Sequence, residues 1–250
     1  FASLGGIGLY TPAVGLLQTS PNSFAPLYVT VGADDGLWMR TQGTNWQPLS
    51  AQGSVCVDQP GLLTEGGQDG AGWFTNVWVA CIGEDGAVYY ASATTRGSTL
   101  PVFGNWTYLG GIAVHGVSLA RVGGAVTFLV NGTDGSPAGT AVWTRTTSTG
   151  WTRTPWGCVG TPALGSAYGK AWFACQGPDQ SLWYARHFGS WTGAASAGGV
   201  VDGPPAVAVT LSGATFEVRS SDGAIWENFT PNVGGRGGGG RSGCLRFLVV

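Results

Sequence analysis

Trp38 and Arg40 stand two residues apart, as do Trp143 and Arg145, and each pair joins a large aromatic ring to a permanent positive charge. Side chains alternate along an extended strand, so both members of a pair lie on one face of it. A further tryptophan follows each pair, Trp46 after the first and Trp151 after the second. A less regular version comes later: Trp183, then Ala185 with Arg186 beside it, then Trp191. A flat apolar ring edged by a charged hydrogen-bond donor suits a ligand with one C–H face and a circle of hydroxyls, as a pyranose has. Tryptophan at a repeated position also serves as packing between repeated units, so each of these rings has a structural reading beside the binding one.

Catalytic constellations are harder to assemble. Glycoside hydrolysis needs two carboxyl groups converging on one sugar. Asp58 and Asp202 fall shortly before two of the small-residue segments described below, at unmatched offsets, and Glu65 follows one; all three read as loop charges. His115 and His187 have no recognisable partner for nucleophilic or metal chemistry. The expectation is a protein that binds without catalysis, metal or cofactor.

The elements that must hold the aromatic residues come from a repeat. Gly32-Ala33-Asp34-Asp35-Gly36-Leu37-Trp38 returns as Gly83-Glu84-Asp85-Gly86-Ala87-Val88-Tyr89 and as Gly177-Pro178-Asp179-Gln180-Ser181-Leu182-Trp183. Ser221-Asp222-Gly223-Ala224-Ile225-Trp226 is a further copy, and Asp134-Gly135 with Val142-Trp143 a fifth, carrying an insertion. The marker aspartates 35, 85, 134, 179 and 222 lie 43 to 50 residues apart, about the length of a four-stranded propeller blade. Within each repeat a segment of small residues (Thr11–Val14, Pro60–Leu63, Val117–Leu119, Thr161–Leu164, Pro205–Val207) precedes a second strand ending near Val31, Ile82, Val130, Cys175 or Arg219. The Asp-Gly turn then leads into the strand that carries the aromatic residue. A fourth strand is expected around Trp46, Trp106, Trp151 and Trp191.

The fifth repeat lacks that last tryptophan. Phe1-Ala2-Ser3-Leu4-Gly5-Gly6 aligns with Trp106-Thr107-Tyr108-Leu109-Gly110-Gly111, so the N-terminal strand is expected to complete the last blade and close the ring. The reading is an all-β, five-bladed propeller over residues 1–230; a fragment of a larger propeller is its rival. Residues 231–250 form a separate extension. Seven of the ten residues from 234 to 243 are glycine, a flexible tether. It ends in Cys244 and the apolar run Leu245 to Val250, which could dock as an added strand or bond another chain through Cys244.

Composition narrows the partners. Net charge is −2, and Lys170 is the one lysine, which argues against nucleic acid and anionic membranes. No apolar run approaches the roughly 20 residues that span a bilayer. The chain opens inside a repeat at Phe1, so any secretory leader is expected to have been removed or to lie outside this sequence.

Cys56 stands four residues before Pro60 and Cys158 four before Pro162, while Cys81 and Cys175 stand four before Asp85 and Asp179. Repeat equivalence selects the pairs Cys56–Cys81 and Cys158–Cys175 from the three possible connectivities, tying the first strand of a blade to the second; two pairs of buried thiols are the alternative. Matched disulfides imply an oxidising compartment and a secreted, extracellular protein. The sequons at Asn105, Asn131 and Asn228 are compatible with that route.

The motif Gly-x-Asp-Gly-x-Leu-Trp-x-Arg, followed by a tryptophan and then Leu-Gly-Gly, resembles the repeats of the PLL-type propeller lectins of bacteria and their fungal relatives. The likeness spans residues 1 to about 230 and is best at Asp35 to Arg40 with Trp46, and at Asp134 to Arg145 with Trp151. It implies a secreted or surface protein that binds fucose, galactose or related glycans between adjacent blades, through Trp38, Arg40, Trp46, Trp143, Arg145, Trp151, Trp183, Arg186 and Trp191. Such lectins usually have seven blades. Ala91 and Asn228 replace the arginine in the second and fifth repeats. The other reading is an assembly module of an extracellular surface or filament, binding protein through the propeller and the tail.

Overall fold

The computed structural model describes residues 5–49, 55–133, 141–232 and, as backbone, 246–248. They form strands and loops, with no helix among them. Short runs of Val, Thr, Trp and Tyr between Gly, Asp and Pro clusters favour pleated, half-buried strands. The first sheet holds β1 (Ala13–Ser20), β2 (Ser23–Val31), β3 (Leu37–Thr41) and β4 (Gln47–Pro48). The second holds β5 (Gly61–Asp69), β6 (Gly72–Ile82), β7 (Val88–Arg96) and β8 (Thr107–Gly110). The third holds β9 (Ala113–Val122), β10 (Ala125–Gly132), β11 (Ala141–Thr146) and β12 (Thr152–Gly157); the fourth β13 (Val159–Ala167), β14 (Lys170–Gln176), β15 (Leu182–His187) and β16 (Ala195–Gly198). The fifth holds β17 (Ala206–Val209), β18 (Gly213–Arg219), β19 (Ile225–Pro231) and β20 (Arg246–Leu248). In every sheet the strands follow sequence order. The fold is a five-bladed β-propeller.

The chain divides into two compact units within β9, residues 1–117 and 118–250. In the first unit, Leu27, Val29 and Val31 of β2 and Leu37 and Met39 of β3 pack on Val77, Val79 and Cys81 of β6 and Ala91 of β7. In the second unit, Leu129 and Val142 meet Trp156, Phe173 and Cys175, and Trp172, Ala174 and Leu182 meet Ala214, Phe216 and Val218. Apolar residues at every second position of the central strands thus form cores between the first and second, the third and fourth, and the fourth and fifth sheets.

Three sequence expectations need revision. The fourth place in the last sheet is held by β20, whose Leu248, Phe247 and Arg246 pair with Ile225, Trp226 and Glu227. It is not held by the expected N-terminal strand. Residues 5 to 9 instead lie along the first sheet: Gly8 bridges Gly32 and the Leu9 amide donates to the Val31 carbonyl, 2.9 Å. An apolar strand-forming segment behind a glycine-rich linker can satisfy the open edge of β19, so the tail supplies the strand that was sought at the other end. Phe1 to Leu4, the tether and Cys244 lie outside the described residues, as do Asp134 and the insertion after it.

Second, the fourth-strand tryptophans come just ahead of those strands: Trp46, Trp106 and Trp151 immediately precede β4, β8 and β12. Third, both disulfides form as paired by the repeats, with Cα atoms 5.7 and 5.8 Å apart. Cys56 and Cys158, however, belong to the connections entering β5 and β13 rather than to the first strands themselves.

Candidate binding site on the first sheet

Three of the repeat aromatics are held by the carboxylate four residues before them. The Trp38 indole N–H donates to Asp34 Oδ1 at 2.9 Å, the Tyr89 hydroxyl to Asp85 Oδ2 at 2.8 Å, and the Trp183 indole to Asp179 Oδ1 at 2.9 Å. The same carboxylates accept turn amides, from Gly36, Ala87 and Ser181. The first-repeat equivalent is therefore Asp34, one residue before the aspartate that sequence aligned. Asp35 takes the left-handed position, φ 56°, that Gly86, Gln180 and Gly223 take elsewhere. Aspartate tolerates that conformation better than most residues, which is why an Asp-Asp-Gly turn hides the register. The glycine opening the motif is needed for close approach: a Cβ on Gly32 would lie 2.6 Å from the Trp38 indole, and one on Gly177 2.2 Å from that of Trp183.

These bonds depress the acids. The Trp38 indole, with the Gly36 amide, holds the Asp34 carboxyl below its ordinary 3.8. The Ala87 amide and the Tyr89 hydroxyl do the same for Asp85, and the Ser181 hydroxyl and Trp183 indole for Asp179. Asp85 in turn raises the Tyr89 phenol.

On β3, Leu37, Met39 and Thr41 are buried, while Trp38 and Arg40 share the opposite, half-exposed face. Their cross-strand partners are Thr30 and Tyr28. Trp46 joins them, its indole N–H donating to the Gly5 carbonyl at 3.0 Å, with the Arg40 guanidinium 5.7 Å from its ring centroid. Trp38, Trp46, Tyr28 and Tyr10 bound a pocket of about 610 Å³ whose floor includes Gly8 and Thr30. Arg40 stands behind Trp46 rather than among the lining residues.

The Gly8–Thr30 pair differs from its counterparts in the other sheets. The Gly8–Thr30 position can be followed through all sheets. Cys56, Ala113 and Val201 each donate an amide to the left-handed turn residue of the preceding repeat, at 2.9, 2.9 and 2.7 Å. The next residue in two of these connections, Val57 or Asp202, then bonds the end of the second strand, as Leu9 does. Gly8 thus corresponds to Cys56, Ala113, Cys158 and Val201. Thr30, opposite Trp38, corresponds to Cys81 opposite Tyr89, Val130 opposite Trp143, Cys175 opposite Trp183 and Val218 opposite Trp226. Two sheets put a buried disulfide at these positions, and two put buried alanine and valine or two valines. The first sheet has glycine and threonine there, and both line the pocket.

The other sequence candidates are distributed differently. Trp143 and Arg145 are half-buried on β11, and Trp151 precedes β12. Trp183 and Trp191 belong to the apolar cluster around Trp156, which stacks on Phe173 at 4.7 Å and meets Trp191 edge-on at 5.0 Å. Arg186, three residues from Trp183, falls on the other face of β15, so strand alternation separates this pair. Asn105 is exposed, but Asn131 and Asn228 are 1% and 3% exposed. The Asn131 amide donates to the carbonyls of Cys158 and Gly160, so a glycan there would displace part of the fold. Among the carboxylates weighed for catalysis, Asp202 pairs with Arg219 at 3.0 Å, and Asp58 accepts the Gln59 amide. No cluster of three or more His, Cys, Asp or Glu among the described residues could hold a metal, and no helix there is long and apolar enough to cross a membrane.

No sequence-family model and no curated protein matches the chain. Solved structures do. A fucose-specific lectin from Aleuria aurantia superposes with a TM-score of 0.61 at 16% identity, over 90% of this chain and 76% of that one. AofleA from Arthrobotrys oligospora, as a variant with three arginines changed to alanine, gives 0.60 at 9% identity, over 91% and 71%. The Aleuria lectin bound to Fucα1-6GlcNAc gives 0.58 at 15% identity, over 87% and 75%. The Aleuria fold is described as a six-bladed propeller, one blade more than the five sheets here. At such identities the likeness establishes shared architecture.

Proposed function

We propose that this protein is a secreted, non-catalytic, lectin-like propeller whose primary sugar site is the pocket on the first sheet. The observation that carries the reading is the open pocket bounded by Trp38, Trp46, Tyr28 and Tyr10, with Gly8 and Thr30 in its lining. A pyranose fits there with its C–H face on an indole and its hydroxyls toward Asp34, Tyr28 and the open side. Fucose- or galactose-type glycans are the ligand class, supported by the fold shared with fucose-binding lectins. Trp143, Arg145 and Trp151 form a secondary candidate, while the packing of Trp183 and Trp191 favours a core role for them. Two buried disulfides support an oxidising compartment and hence secretion; Asn105 is the sequon accessible to modification.

The test is a glycan array with the intact protein, followed by calorimetric titration of the best ligand and of α-methyl-L-fucoside. Trp38→Ala and Trp143→Ala variants, each checked for folding, separate the two sites. Selective binding lost in Trp38→Ala and retained in Trp143→Ala supports the reading. A blank across a broad array contradicts it.

A further inference from the structure

The rim of the fourth sheet has an arrangement of charge that nothing above uses. Lys170, at the start of β14, places Nζ 5.4 Å from the centroid of the Phe188 ring. The guanidinium carbon of Arg186 lies 5.4 Å from the same centroid. Phe188 is 37% exposed and is held from beneath by Trp172, edge to face at 6.0 Å. Trp172 and Arg186 are cross-strand partners, so Lys170, Trp172 and Arg186 share one face of the sheet.

Two cations against one ring normally need a carboxylate, and the described residues provide none. Arg96 pairs with Asp69 at 2.6 Å and Arg219 with Asp202 at 3.0 Å. Beyond the strand ladders Arg186 bonds Thr192 through its backbone, its amide donating to Thr192 Oγ1 at 3.2 Å and its carbonyl accepting the Thr192 amide at 2.9 Å, and among the described residues neither the Arg186 guanidinium nor the Lys170 ammonium has a contact beyond the ring. The adjoining fifth sheet offers no help: Phe216 and Val218 face the fourth sheet, so Glu217, between them, and its partner Glu227 lie on the far side. Asp179 lies at the opposite end of the β14–β15 hairpin, bonded to Ser181 and Trp183. This happens in a chain with 13 acidic and 11 basic residues, so a shortage of carboxylates is not the reason.

We propose that Lys170, Arg186 and Phe188 form a second site, selective for an acidic saccharide bearing a carboxylate or sulfate. The two cations neutralise one oxyanion, the guanidinium through paired N–H groups and the ammonium as a point charge. The exposed Phe188 ring takes the apolar face of the sugar that carries it. The site is independent of the first-sheet pocket, and its test distinguishes the two.

The full chain is titrated with trigalacturonate, with a sulfated heparin disaccharide, with inorganic sulfate and with neutral galactotriose, at low and physiological salt. Calorimetry gives affinities, and the Arg Nε–Hε and Lys Nζ NMR signals locate the contact. At least one acidic saccharide is expected to bind and to shift the Arg186 signal. Its affinity should fall with added salt and at least tenfold in Lys170→Gln/Arg186→Gln, with neutral-sugar binding unchanged. Equal affinity for the acidic and neutral oligosaccharides overturns the proposal, as does full retention by the folded double variant. Sulfate alone binding as tightly as the saccharides overturns its sugar part. Should the double variant misfold, an unmoved Arg186 signal in the parent protein is sufficient to reject the site.

Discussion

The first and second sheets carry the same motif and put it to different uses. In the second, Tyr89 stands over Asp85 opposite Cys81, and the Cys56–Cys81 bridge and Ala91 are buried against the first sheet. In the first, Trp38 stands over Asp34 opposite Thr30, with Gly8 where the other cysteine would be. The repeat aromatics are half-buried alike, and the first sheet differs in having glycine and threonine beside its ring where the others have a disulfide or two apolar side chains. The aromatic alone therefore does not distinguish one repeat from another; the two positions beside it do.

Breaking that contrast gives the largest expected effect. A Cβ on Gly8 lies 3.8 Å from Thr30 Cβ, about the mean Cβ separation in disulfides, and Gly8 has no positive φ to strain a side chain. The double variant Gly8→Cys/Thr30→Cys should form a third disulfide, seen as the loss of two free thiols by mass spectrometry. It should raise the unfolding midpoint and abolish sugar binding. The reverse change, Cys158→Ala/Cys175→Ala, should lower stability by about 2–4 kcal/mol in denaturant unfolding while leaving binding at the first sheet intact.

A smaller effect is expected from Trp38→Phe, which keeps a ring but removes the bond to Asp34. Stability should fall slightly, seen as a lower denaturant midpoint, while sugar affinity drops further than the same change at Trp183 would cause. The smallest effect is in acid. Asp34, Asp85, Asp179 and Asp222 all have lowered folded pKa values. Their contribution is fully present above the unfolded value and is lost as pH falls through the folded ones. Thermal midpoints should therefore hold down to about pH 4 and then decline, and Asp34→Asn should blunt that decline.

Much of the fold was legible because turn chemistry and aromatic spacing recur in every repeat. Sequence equivalence sufficed to pair Cys56 with Cys81 and Cys158 with Cys175. Registration failed by one residue where Asp34 and Asp35 adjoin, since either can form the turn. The last strand was misplaced because Phe1–Gly6 has the better repeat signature; Gly5-Gly6 even shares the positive-φ pair of Gly110-Gly111. An edge strand, however, can be supplied by any apolar segment within reach, and Arg246–Leu248 is one. The site was half legible. Trp38, Arg40 and Trp46 were visible as a motif, but the floor was not, because glycine and threonine carry no signal of their own. Aligning Leu9 with Val57 would have set Gly8 against Cys56 and exposed the difference. Asn131 could not be recognised as buried from its sequon.

The most direct measurement is a calorimetric titration of the best array ligand into the parent protein and into oxidised Gly8→Cys/Thr30→Cys. Saturable binding by the parent and none by the bridged variant, with both folded, is the predicted result. Equal binding by the two would place the sugar elsewhere and contradict the account.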